Sequence, residues 1–161
     1  MNVLVILQGP AYGDERAYNG LRLADNLAKR DDVTVKIFCF GNAVGCAVAG
    51  QKLPNGYYHL DRMLTAAAHH GAEIGLCGTC MDARGITDTM LVAADTRRSS
   101  LDEVTDWTLW AGQNNHLLTV VDPAEESSHW DAPNWDAFHA LTVHLPPTSS
   151  TATPTLGNLE P

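Results

Sequence analysis

Apolar positions along this chain switch repeatedly between two spacings. Residues 2–7 (NVLVIL) are almost wholly apolar and end in the breakers Gln8-Gly9-Pro10, the pattern of a short strand buried on both faces. From Asp14 the spacing lengthens, and Ala17, Leu21, Ala24, Leu27 and Ala28 fall on one helical face. Asp14 and Glu15 occupy the expected first turn and Lys29 and Arg30 the last. These end charges suit the helix dipole, so a helix is predicted over 14–30 in spite of Gly20. Residues 33–40 (VTVKIFCF) alternate and are β-branched or aromatic, which predicts a second strand.

The small apolar stretch Asn42–Gly50 predicts a short helix packed closely on the sheet, and Pro54-Asn55-Gly56 a turn. Leu60, Met63, Leu64, Ala67 and Ala68 return to helical spacing and stop at Gly71, a suitable residue just past a helix end. Residues 73–77 (EIGLC) read as a third strand. Ser100-Leu101-Asp102-Glu103 has the capping-box pattern and opens a helix through Trp110 to Gly112, before a last strand at Leu117–Val121. Alternating strands and helices predict an α/β fold with a mainly parallel sheet covered by helices on both faces.

Charge changes the picture at the C-terminal end. The chain has 161 residues and a net charge of −9, and no Lys or Arg follows Arg98. Residues 122–161 carry six acids and no base, hold six of the eight prolines, and include PPTSSTATP at 146–154. A domain is therefore expected over 1–121, followed by an acidic, Pro/Ser/Thr-rich extension at 122–161 that is read as flexible. Trp130, Trp135, Phe138, Leu141 and Val143 leave open that part of it docks back. An acidic chain argues against nucleic acid or an anionic membrane as the main partner, since both are bound through basic patches. No apolar run is long enough for a membrane span, and Val3–Leu7 is short for a signal-peptide core with no base before it. The expected location is the cytoplasm.

The candidate chemistry lies at strand ends, where ligands gather in open parallel sheets. One segment is Gly9-Pro10-Ala11-Tyr12-Gly13, and the other is Cys77-Gly78-Thr79-Cys80. Parallel strands would put both on one edge. A helix starting near Thr79 would favour a thiolate at Cys77 or Cys80; Arg84 would add to this and Asp82 would oppose it. A thiolate attacks sulfur or binds a soft metal; the bland alternative is a pair of small buried hydrophobes.

Other readings of these residues are weaker. Structural zinc would need two more ligands, and His69 and His70 are expected on the opposite edge, so no metal and no cofactor are assigned. A thioredoxin-like motif would follow an early strand and open a long first helix. The Gly9–Gly13 loop lacks the Lys-Ser/Thr ending of a phosphate loop. It reads either as a tight turn fixed by Pro10 or as a small-anion site lined by Gly9, Pro10, Tyr12 and Gly13. Cys39 and Cys46 read as packing. Trp107 and Trp110 read as core or subunit-interface anchors, and with Ala43–Ala49 they suggest more apolar surface than one sheet covers.

GPAYGDERAYNGLRLA after the first strand, GNAVGCAVAGQ after the second and LCGTCMDARGI after the third resemble the DsrE/DsrF-like sulfur-reduction and sulfur-relay family. The resemblance spans about residues 1–121. It implies a Rossmann-like sheet, association into trimers or hexamers, and, in relay members, a cysteine that carries a persulfide between partner proteins. By position against Arg84-Gly85, that residue corresponds to Cys77. Cys80 is an addition to the relay pattern, either resolving a Cys77 persulfide into a disulfide or carrying the sulfur itself.

Three functions follow as expectations. The first is a cytoplasmic sulfur carrier or sulfurtransferase-like protein working with donor and acceptor proteins through Cys77 and Cys80. The second is a non-catalytic oligomeric module that binds a small ligand or partner at the shared strand edge. The third is a thiol-disulfide redox protein. The first requires that the Cys77 thiol be reachable by solvent and ionised at neutral pH.

Overall fold

The structure, a computed structural model, describes residues 1–92, 96–112 and 117–120. The 122–161 extension and its aromatic residues lie outside the described residues. Among the described residues, strands β1 (Asn2–Leu7), β2 (Thr34–Cys39), β3 (Glu73–Cys77), β4 (Thr96–Ser99) and β5 (Leu117–Val120) form one sheet. Their order is β4-β3-β2-β1-β5, and every pairing is parallel. The chain steps outward from β1 to β4 and returns to the other side of β1, the order reversal of a Rossmann-like sheet.

Helices α1 (Arg16–Ala28) and α2 (Leu60–His69) pack against each other on one face of the sheet. Helix α4 (Leu101–Gly112) covers the other, with Trp107 edge-on to Phe38, ring centroids 5.9 Å apart. Gly75 makes that close packing possible: a Cβ there would lie 3.0 Å from Trp107 and 3.2 Å from Phe38. The core runs along β1–β3, where Val3, Leu4, Val5, Leu7, Ile37, Phe38, Ile74 and Leu76 are buried. Strands buried on both faces need few polar positions, and this is why their sequences read as nearly unbroken apolar runs.

Several boundaries differ from the sequence expectation for local reasons. The first helix begins at Arg16 and ends at Ala28, so neither its first turn holds an acid nor its last a base. Asp14 instead sits just before it, where its carboxylate accepts from the Arg16 backbone N–H at 2.9 Å and from the Arg16 guanidinium at 2.7 Å. The stretch after β2 is a 3₁₀ helix, Gly41–Ala47. In the capping box, the Ser100 hydroxyl accepts from the Glu103 N–H at 3.2 Å, while the Glu103 carboxylate turns to Arg97 and Ser99. Strand β4 has no counterpart in the sequence reading; its TRRS segment lacks an apolar run, because an edge strand can turn charged side chains outward. Arg97 lies over the Trp107 ring and pairs with Glu73 and Glu103.

Of the segments expected to leave apolar surface uncovered, Trp110 and Val48 are half-buried and Ala49 is exposed, while the rest is largely covered. Trp107, Ala43, Val44, Cys46 and Ala47 are all buried within this chain. Lys36 stacks over both Trp107 and Trp110, at 4.7 and 4.9 Å from the ring centroids. No helix among the described residues is long and apolar enough to cross a membrane.

Candidate functional site

Because β1, β2 and β3 are parallel, the segments following them share the carboxyl edge of the sheet. Cys77 closes β3 and caps helix α3 (Gly78–Asp82). The abrupt turn from strand to helix depends on Gly78. A Cβ at that position would fall 2.9 Å from Arg98 Nε and 3.2 Å from the Ser99 carbonyl oxygen. Glycine therefore lets β4 lie directly against the start of α3.

The two sulfurs have different surroundings. The Cys77 Sγ is 3.2 Å from the hydroxyl of Thr79, and the Cys80 thiol and the N–H groups of Thr79 and Cys80 belong to the helical turn that Cys77 opens. Burial pushes the Cys77 pKa up, but these donors outweigh it, led by the Cys80 thiol, and hold it below the ordinary thiol value. Cys80 moves the other way. Burial and its hydrogen bond to Cys77 raise its pKa, against the Gly41 N–H, which donates to Cys80 Sγ at 3.3 Å, and the charge of Arg84. Of the two, Cys77 is the one held toward thiolate.

The solvent access expected at Cys77 is small. The residue is 8% exposed, and Cys80 is the more open of the pair. Thr79, between them, is exposed.

The flanking charges are arranged around α3. Arg84 donates to the Cys80 carbonyl oxygen at 3.0 Å and to Asn42 Oδ1 at 2.7 Å, tying the end of α3 to the 3₁₀ helix. Its charge acts on Cys80. Asp82 was expected to oppose a thiolate, but the Arg98 guanidinium pairs with it. The Cys77 charge is itself among those that stabilise the Arg98 cation, after the leading contribution of Asp82. Arg98, Gly41 and Asn42 also belong to this site and were missed from the sequence. The first comes from the unrecognised strand, and the others act through contacts that no local spacing signals.

The Gly9–Gly13 loop is placed on the same edge with the Tyr12 hydroxyl already engaged. Gly9 is buried and Gly13 has φ +106°, so the loop is a tight strand-to-helix turn. The Tyr12 hydroxyl accepts from the Leu60 N–H at 3.3 Å and donates to Gln51 Oε1. Its ring lies 6.0 Å from Tyr58, which stacks on Tyr18. Gln51 in turn donates to the Gly45 carbonyl. The connection from Tyr12 to the cysteine pair thus runs through Gln51 and the 3₁₀ helix.

The remaining candidates fall elsewhere. Cys39 and Cys46 are fully buried; burial pushes Cys39 well above the usual thiol range and Cys46 up to about 12. His69 and His70 end α2 before β3 begins, on the opposite edge, and His70 Nδ1 is 2.8 Å from Asp25. Among the described residues, no three His, Cys, Asp or Glu side chains gather in a way that would hold a metal ion. A groove of about 220 Å³ between α1 and α2, lined by Arg22, Asp25, Lys29 and Met63, contains none of the site residues.

Comparison with known proteins supplies the family. The model of the DsrE/DsrF-like family matches residues 1–115. Protein YchN of Escherichia coli is 32% identical over 110 residues, covering 68% of this chain and 92% of its own. Its crystal structure superposes with a TM-score of 0.66 at 31% identity, covering 73% of this chain and 97% of that one. An uncharacterized protein from Methanopyrus kandleri is 29% identical over 105 residues, 65% of this chain and 84% of its own. A protein of unknown function from Methanobacterium thermoautotrophicum shares the fold at 12% identity, with a TM-score of 0.55 and coverage of 73% and 97%.

Proposed function

This chain belongs to the DsrE/DsrF-like family, and we propose that it is a sulfur carrier that accepts a persulfide sulfur on Cys77. The observation that carries the reading is the set of donors around one strand-end sulfur. The Thr79 hydroxyl, the Cys80 thiol and two backbone N–H groups hold Cys77 toward thiolate against the opposing effect of burial.

The chemistry is a sulfane transfer. The Cys77 thiolate attacks the outer sulfur of a donor persulfide, forming a new S–S bond. The donor's own S–S bond breaks, and its inner sulfur leaves as a thiolate. The product is a Cys77 hydropersulfide, with no net oxidation or reduction. An acceptor thiolate repeats the exchange in the forward direction and restores Cys77. A lowered pKa serves both halves, since it raises the thiolate fraction for attack and improves Cys77 as a leaving group.

Donor and acceptor are thiol compounds or proteins able to reach a sulfur of limited exposure past Thr79. Such a free thiol pair calls for a reducing compartment, which makes the cytoplasm the proposed location. Association into trimers or hexamers is proposed on the family resemblance alone, and light scattering of the full chain checks it.

The testing experiment loads the reduced protein with a persulfide donor and follows intact and peptide mass. One sulfur atom on the peptide containing Cys77, absent from Cys77→Ser, is the expected result. No added sulfur and no sulfide release at either cysteine would remove the reading.

A further inference from the structure

A carrier built only to relay needs one thiol, and this site holds two on a single turn of chain. Cys80 lies three residues after Cys77 on the first turn of α3, the spacing at which neighbouring side chains on a helical turn meet. The Gly41 N–H points at Cys80 Sγ from 3.3 Å, and the Arg84 guanidinium is anchored on Asn42 and on the Cys80 carbonyl. Both groups favour negative charge on Cys80. They have nothing to stabilise while Cys80 keeps its proton, and they become useful once that proton leaves. Meanwhile Cys77 is 8% exposed, so an external acceptor has restricted access while an internal nucleophile is already beside it. A positioned internal group competes as though present at very high concentration.

We propose that Cys80 resolves the Cys77 persulfide within the chain, releasing the carried sulfur as hydrosulfide. This rests on the carrier reading and assigns a fate to the sulfur when no acceptor is engaged. The Cys80 thiolate attacks the inner sulfur of Cys77–S–SH. The Cys77–S to outer-sulfur bond breaks, hydrosulfide leaves with the electron pair, and a Cys77–Cys80 disulfide forms. The outer sulfur is reduced to the sulfide level and the two cysteines are oxidised together, so no outside oxidant is needed. A dithiol reductant then reopens the disulfide by two exchanges, itself becoming a disulfide and returning both thiols. Asn42 and Gly41 are positioning residues for this step, through Arg84 and directly.

The experiment exposes the reduced full chain to glutathione persulfide under anaerobic conditions, then measures free sulfide and intact mass for wild type and Cys80→Ser. The expected wild-type product has two hydrogens fewer and no lasting extra sulfur, with one sulfide released per disulfide formed. Cys80→Ser is expected to keep one added sulfur on Cys77 at least about tenfold longer. If both proteins keep the added sulfur equally long, the inference fails while the carrier reading stands. If wild type forms a disulfide but Cys80→Ser takes up no sulfur, the pair is a simple redox couple and the inference fails. If neither gains sulfur and no sulfide appears, both readings fail together.

Discussion

Cys39 closes β2 and Cys77 closes β3, on neighbouring strands and one register position apart, since Cys39 pairs with Leu76. Both are largely withdrawn from water, yet their acidities move in opposite directions. Cys39 is fully buried among apolar groups, and desolvation, aided by the nearby Cys46, drives its pKa up. Cys77 also loses solvation, but it stands at the start of a helical turn with the Thr79 hydroxyl 3.2 Å from its sulfur, and hydrogen bonding from Cys80 and Thr79 lowers its pKa. The lesson is that strand-end position does not activate a thiol. The chain after the strand does so, by returning hydrogen-bond donors to an atom that burial would otherwise silence.

The largest contrast should appear in sulfur uptake. Cys77→Ser is expected to abolish loading from a persulfide donor, whereas Cys46→Ser should load as wild type does. The latter substitution carries only a stability cost of about 1–3 kcal/mol for burying a hydroxyl, measurable by urea unfolding. Equal loss of loading in both variants would erase the distinction between the two cysteine environments.

Next in size are two glycines that let the neighbouring elements close. Gly78→Ala would drive a methyl into Arg98 and the Ser99 carbonyl, and Gly75→Ala into Trp107 and Phe38. Each is expected to cost about 1–3 kcal/mol in denaturant unfolding. Only Gly78→Ala should also slow alkylation of Cys77, because it alone disturbs the turn that delivers the donors.

A smaller effect isolates one donor. Thr79→Val keeps the shape and removes the hydroxyl, so the pH midpoint of Cys77 alkylation should rise, with a several-fold lower rate near neutrality. Cys39 and Cys46 should be unaffected, and an unchanged midpoint would mean that Thr79 contributes nothing.

The smallest effect concerns the sheet edge beyond the site. Hydrogen bonding from Arg97, with Ser99 and against some burial, lowers Glu103 from 4.5 to about 2. A carboxyl whose folded pKa is depressed adds stability above its unfolded value and loses it as pH falls toward the folded one. The contribution of Glu103 should therefore be complete above about 4.5 and gone near 2. Glu103→Gln is expected to cost about 1 kcal/mol at neutral pH and to converge with wild type in acid. A pH-independent difference would place its role in packing rather than charge.

The frame of this molecule was legible because its central strands are buried on both faces and its helices present a single apolar stripe. NVLVIL and EIGLC have few alternative uses. Strand β4 was hidden because Arg97 and Arg98 owe their places to Trp107, Glu73, Glu103 and Asp82, partners that only the folded chain supplies. The site was visible in outline from Cys77 and Cys80, whose spacing is local. Its electrostatics were not: Asp82, a carboxylate near a thiol by sequence, is paired with Arg98, and the Gly41 amide arrives from the segment after another strand. The Tyr12 loop shows the converse, a suggestive motif whose hydroxyl is occupied by Gln51 and the Leu60 N–H.

The central claim is that Cys77 alone among the four cysteines is held toward thiolate in the folded protein. Peptide-resolved alkylation of the native chain across pH measures this directly. The account predicts that Cys77 reacts with a midpoint below that of an ordinary thiol and below that of Cys80, while Cys39 and Cys46 stay unmodified until the protein unfolds. A Cys77 midpoint at or above the ordinary value, or one matching Cys80, would contradict it.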